Sequence, residues 1–129
     1  MLVQSPSLLI TDDDRSFRET LRNVFEPQGF RTLLAGDGEE ALKIVQSEEV
    51  HLVLLDVHMP KLTGLEVLRL LRQFKAMLPC ILMSAQLDEL ILEQARRAHA
   101  FSVLSKPVPL RLLTGTVRRA LERTYDWRG

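Results

Sequence analysis

Six residues of this sequence carry side chains suited to chemistry and stand where a short apolar run stops. SLLIT gives way to Asp12, Asp13 and Asp14, VHLVLLD ends on Asp56, CILMSA carries Ser84, and FSVLS leads into Lys106 followed by Pro107. Carboxylates that converge on a small space repel one another and raise their own proton affinities unless a cation sits among them. The donors are hard oxygens, with no His or Cys cluster at zinc spacing, so Mg²⁺ is the favoured cation, held by a few carboxylates and keeping several waters. Water in its open positions leaves room for a phosphoryl oxygen. An aspartate can then act as nucleophile in phosphoryl transfer and become an acyl phosphate, while the metal and a lysine neutralise the transferred charge and a serine hydroxyl donates to another oxygen.

These residues act together only if the fold brings the ends of the apolar runs to one place. Short aliphatic runs alternate with stretches of helical spacing, the pattern of repeated βα units around a parallel sheet. Five strands are expected, at Ser7–Thr11, Phe30–Ala35, Val50–Asp56, Cys80–Ala85 and Phe101–Ser105. The third is nearly continuous in aliphatics, which places it centrally with both faces covered. Phe17, Leu21, Val24 and Phe25 form the stripe of a first helix that closes before Pro27 and Gly29. Asp37 offers an N-cap to a second helix through Ala41, Leu42 and Val45, ending near Ser47. A loop with Pro60 and Gly64 leads to a third helix on Leu65, Leu68 and Leu71, and a fourth spans about Asp88 to Ala98. A fifth starts near Pro109 and packs Leu110, Leu113, Val117 and Leu121. The expectation is a single (βα)₅ α/β domain, doubly wound, with a core from about 7 to 123 and short tails. In such open sheets the ligand sits beyond the carboxyl ends of the strands.

Composition agrees with one folded domain. The chain has 129 residues, 46% hydrophobic and 26% charged, enough to bury a core and unlike a disordered segment. Seventeen basic residues balance seventeen acidic ones, which disfavours direct nucleic-acid binding. A single cysteine, Cys80, forms no internal disulfide and points to a cytoplasmic setting, with Cys80 itself an inert buried hydrophobe. The N-terminus lacks a basic leader region, and no apolar run approaches the roughly 20 residues that span a bilayer.

With its strand-end residues in this order, the sequence resembles the receiver domain of bacterial two-component response regulators, from Leu8 to about Leu121. The markers are LLITDDD, LLDVHMPKLTGLEVL with its MPxxxG loop, LMSA and LSKP. The resemblance implies a flavodoxin-like strand order 2-1-3-4-5 and Asp56 as phosphoacceptor. It implies that Asp13 and Asp56 ligate Mg²⁺ with the backbone carbonyl of His58, while Asp12 acts largely through water. Ser84 and Lys106 would contact the phosphoryl group, and the Lys106-Pro107 bond would be cis. The implied partner is a sensor histidine kinase or histidine phosphotransfer protein. The domain would be no enzyme beyond Mg²⁺-dependent self-phosphorylation and autodephosphorylation, and a monomer or weak dimer through helix 4, strand 5 and helix 5. Val103 departs from the pattern, since receivers commonly carry Tyr or Phe three residues before the lysine; Phe101 shares its strand face by alternation.

Other residues read more plainly. Asp14 is expected to cap a helix, His51 and His99 to be structural or exposed, and the His58 side chain to flank the pocket. Arg111, Arg118, Arg119 and Arg123 form a solvated face. Two alternatives remain open: a receiver-like interaction module independent of phosphorylation, and a haloacid dehalogenase-like phosphatase using Asp12 in Asp12-Asp13-Asp14-Arg15-Ser16. The latter leaves Asp56 and MPxxxG unexplained and lacks further acidic ligands after Lys106, where only Glu122 and Asp126 follow. No recognisable DNA-binding, cyclase or kinase segment follows Leu121, so the output is expected from a bound partner or from a longer protein.

Overall fold

The computed structural model describes residues 4–129. Met1 to Val3, the start of the expected N-terminal tail, lie outside the described residues. Five parallel strands, β1 (Ser7–Thr11), β2 (Arg31–Ala35), β3 (Leu52–Asp56), β4 (Cys80–Ser84) and β5 (Ser102–Ser105), form one sheet in the order β2-β1-β3-β4-β5. Five α-helices alternate with them: α1 (Arg15–Phe25), α2 (Gly38–Ser47), α3 (Gly64–Phe74), α4 (Glu89–Arg97) and α5 (Leu110–Tyr125). The order reverses between β1 and β3, the switch point at which open α/β sheets bind ligands.

Alternation along the strands feeds two cores. Leu9, Val53, Leu55 and Leu82 pack with α2, α3 and α4, whereas Leu8, Ile10, Leu54 and Ile81 pack with α1 and α5. All five residues of β3 are buried, as a central strand covered on both faces requires. Helix starts follow local chemistry: Asp14, Asp37 and Asp88 each accept hydrogen bonds from the first turn of their helices, and Thr63 with Glu66 closes a capping box on α3. The helices are not equally anchored, for α4 buries only Ala95 while α5 buries five residues. Among the described residues no helix is long and apolar enough to cross a membrane.

Three expectations need correction. Leu110, at the first position of α5, does not pack with Leu113, Val117 and Leu121 but is exposed. The chain after Arg123 is not a tail. Tyr125 continues the α5 stripe four residues after Leu121 and donates its hydroxyl to the His51 carbonyl at 2.7 Å. Asp126 then takes a left-handed conformation at φ 53°, and the turn folds Trp127 back against Phe30, with ring centroids 5.2 Å apart. Nor does Phe101 share a face with Val103. Strand β5 begins only at Ser102, so alternation does not reach Phe101, which packs on the α1/α5 side while Val103 packs on the other.

Candidate functional site

The carboxyl ends of β1 and β3 adjoin because the strands pair in register, Thr11 beside Leu55. The next residue of β3 is Asp56, and Asp12 and Asp13 follow Thr11 directly. Each of the three aspartates offers an oxygen within 4.8 Å of the others. Asp12 and Asp56 are buried while Asp13 is open to solvent. Asp12 is fixed from several sides: its N–H donates to Ala35 O at 3.1 Å, its Oδ1 accepts from Asp14 N–H at 2.9 Å, and its carbonyl accepts from Arg18 Nη1 at 2.6 Å.

Lys106 reaches this group from the end of β5. Its Nζ lies 2.6 Å from Asp12 Oδ2 and 3.6 Å from Asp56 Oδ1, and 4.7 Å from the centre of the Phe17 ring. The backbone is pinned as well, since Lys106 N–H donates to Ser84 O at 2.8 Å and the Lys106-Pro107 peptide is cis. Ser84, at the end of β4, is fully buried, with its hydroxyl 2.9 Å from His58 Nε2. Asp12, Asp13, Asp56, Ser84 and Lys106 are therefore gathered at one sheet edge. Asp14 stands apart as the α1 cap.

The loop after β3 is shaped by glycine. A Cβ at Gly64 would run into the carbonyl of Asp56, so only glycine lets α3 start this close to the β3 backbone. Gly64 N–H donates to Val57 O at 3.0 Å, and His58 N–H donates to Asp56 Oδ1 at 3.3 Å. The MPxxxG spacing thus closes a loop that returns to the candidate nucleophile.

The electrostatics follow from this crowding. Burial and the neighbouring Asp12 charge raise the Asp56 pKa, with a smaller contribution from Asp13; Lys106 and the His58 N–H pull the other way and do not fully compensate. For Lys106 burial favours the neutral amine, but the hydrogen bond and charge of Asp12, together with Asp56, outweigh it and raise the pKa. The pocket accordingly holds three carboxylates against one ammonium. A hard divalent cation fits this all-oxygen set and would relieve the repulsion that burdens Asp56.

Three contacts had no clear signal in the sequence. The His58 ring reaches Ser84, Arg18 braces the Asp12 carbonyl, and Phe17 underlies Lys106. Phe17 and Arg18 were legible only as members of an amphipathic helix. His51 is structural, as expected: its Nδ1 accepts from Ser7 N–H at 2.9 Å.

Residues 8–118 match the family model described as the response regulator receiver domain. Among curated proteins, the chain is 35% identical over 117 residues to the alkaline phosphatase synthesis transcriptional regulatory protein PhoP of Bacillus subtilis, covering 91% of this chain and 49% of that protein. It is 39% identical over 117 residues to the response regulator MprA of Mycolicibacterium vanbaalenii, covering 91% and 51%. The chain spans about half the length of the curated relatives it matches. Among solved structures, a CheY-like receiver domain protein from Methanospirillum hungatei superposes with a TM-score of 0.91 at 22% identity, over 95% of this chain and 98% of that one. The response regulator protein TrrA of Thermotoga maritima, in complex with Mg²⁺ and BeF, superposes with a TM-score of 0.82 at 31% identity, over 90% and 99%.

Proposed function

The chain belongs to the response regulator receiver domain family, and from that premise we propose that Asp56 accepts a phosphoryl group from a phosphohistidine donor. The observation that carries this reading is the position of Asp56, buried at the sheet edge with Asp12, Asp13 and Lys106 around it. A carboxylate oxygen of Asp56 attacks phosphorus as the bond to the donor's imidazole nitrogen breaks, leaving an acyl phosphate and a free imidazole. Asp12, Asp13, Asp56 and the His58 carbonyl would hold Mg²⁺, which when bound neutralises charge on the transferred group. Lys106 supplies a second positive charge, and Ser84 donates its hydroxyl to a phosphoryl oxygen. Water later hydrolyses the acyl phosphate, so the activity is self-phosphorylation and autodephosphorylation only.

A sensor histidine kinase or phosphotransfer protein is the proposed donor, acting in the cytoplasm. Phosphorylation shifts an equilibrium between two forms of the surface built by α4, β5 and α5. Leu90, Leu92, Leu110 and Leu112 are exposed on α4 and α5 and suit an effector, an output domain or a second copy in a weak dimer. Val103 has no ring to swing on β5, which keeps a phosphorylation-independent interaction module as the second reading. The intact carboxylates and Lys106 favour the first, because unused acidic groups would burden the fold for no return. The phosphatase alternative loses support from geometry: the carboxylate cluster that could hold a metal, among the described residues, contains Asp56 but neither Glu122 nor Asp126.

Incubation with Mg²⁺ and a small phosphodonor such as acetyl phosphate should add one phosphoryl mass, absent in Asp56→Asn. Peptide mass analysis placing the group on Asp12 would support the phosphatase instead. An unchanged wild-type mass, under conditions that label a control receiver, would leave the interaction module standing.

A further inference from the structure

Ser84 is fully buried, and its hydroxyl has two partners: Gln86 N–H at 3.1 Å and His58 Nε2 at 2.9 Å. A hydroxyl has one proton to donate and two lone pairs to receive with. Gln86 N–H occupies a lone pair. If His58 Nε2–H donated as well, the Ser84 proton would be buried with no acceptor, a condition folded proteins avoid. The Ser84 O–H therefore donates to Nε2, and the imidazole proton sits on Nδ1. That arrangement is readily satisfied, since His58 is exposed and water can accept from Nδ1–H.

Resting on the reading of Asp56 and Ser84 given above, we infer that His58 is a positioning residue that holds the Ser84 hydroxyl proton and competes for it with the phosphoryl group on Asp56. The same proton cannot serve both acceptors, so Ser84 engages the phosphoryl oxygen only by releasing the imidazole. An anionic phosphoryl oxygen is the stronger acceptor, as charge-assisted hydrogen bonds exceed neutral ones. The exchange thus runs toward the phosphoryl group, but against the resting bond. His58 sets that resistance through its side chain, independently of the backbone carbonyl assigned to Mg²⁺.

The test compares His58→Met, of similar length but without a ring nitrogen, with His58→Gln, which keeps an acceptor, each in the wild-type and Ser84→Ala backgrounds. The probe is beryllofluoride with Mg²⁺, followed by amide NMR shifts around Asp56. His58→Met should tighten binding about three- to tenfold, the range expected for one net hydrogen bond, and His58→Gln should remain close to wild type. In the Ser84→Ala background the effect of His58→Met should vanish. A tightening that persists without the Ser84 hydroxyl overturns the inference, as does none in its presence. A wild-type protein that neither binds the probe nor accepts phosphate overturns the Asp56 reading itself, and this inference with it. The resting bond is checked separately by imidazole ¹⁵N shifts: an Nδ1–H tautomer whose Nε2 resonance moves in Ser84→Ala is expected, and an Nε2–H tautomer contradicts the assignment.

Discussion

The Lys106 ammonium sits 2.6 Å from Asp12 and 3.6 Å from Asp56, so it is committed chiefly to Asp12 rather than to the proposed phosphoacceptor. Asp12 is almost fully buried, and Lys106 is its one ion-pair partner among the described residues. Removing one member of a buried pair leaves a charge without compensation. Lys106→Met should therefore lower stability in urea by on the order of 3 kcal/mol without Mg²⁺. Millimolar Mg²⁺ should restore part of the loss by taking over the Asp12 charge; no dependence on Mg²⁺ would argue against that role.

Asp56 gives the opposite sign. Its folded pKa is raised, by burial first and then by Asp12. Stability linked to this group is therefore complete below the ordinary aspartate value of about 3.9 and declines as pH rises through the raised folded value. At pH 7 without Mg²⁺, Asp56→Asn should melt at a higher temperature than wild type, with the gap closing as pH falls toward the ordinary aspartate range. Thermal melts across that range check it, and Mg²⁺ should raise the Tm of the wild type more than that of the variant.

Trp127 is the only tryptophan and packs against Phe30 under the Arg118 guanidinium, which lies 5.4 Å from its ring. Its emission should report global unfolding, with a midpoint coincident with that from circular dichroism. Trp127→Ala should cost about 3 kcal/mol. A loss near zero would mean that the C-terminal turn is not anchored in solution.

Cys80 opens β4 within the core, and burial pushes its thiol up to about 11. The thiol should resist a disulfide reagent at pH 8 in the native protein and react promptly in denaturant. Fast native labelling would show that β4 opens far more readily than its burial allows.

The fold was legible because each level of pattern agreed with the next. Aliphatic runs the length of buried strands, stripes at helical spacing and aspartates at helix starts all indicated alternating βα units. Asp12, Asp13, Asp56, Ser84 and Lys106 could be assembled from sequence because parallel strands place their carboxyl ends at one edge. What escaped depended on distance through space. Whether the His58 ring turns outward or onto Ser84 is decided by a loop closed on Gly64, and no local pattern specifies that. Trp127 was hidden because a left-handed residue at Asp126 reverses the chain, and aspartate at that position carries no periodic signature. Phe101 and Val103 face opposite cores because β5 starts at Ser102, one residue after the apolar run begins.

Uneven anchoring of the helices has a consequence for how the molecule opens. With Ala95 as its one buried residue, α4 has little apolar surface to expose when it detaches, whereas α5 must release five buried side chains. The free energy of local opening follows such differences, so amide protons of α4 should exchange through a small fluctuation and those of β3 only through global unfolding. The helix bearing exposed Leu90 and Leu92 is thus the part of the fold that can be rearranged at least cost to the rest.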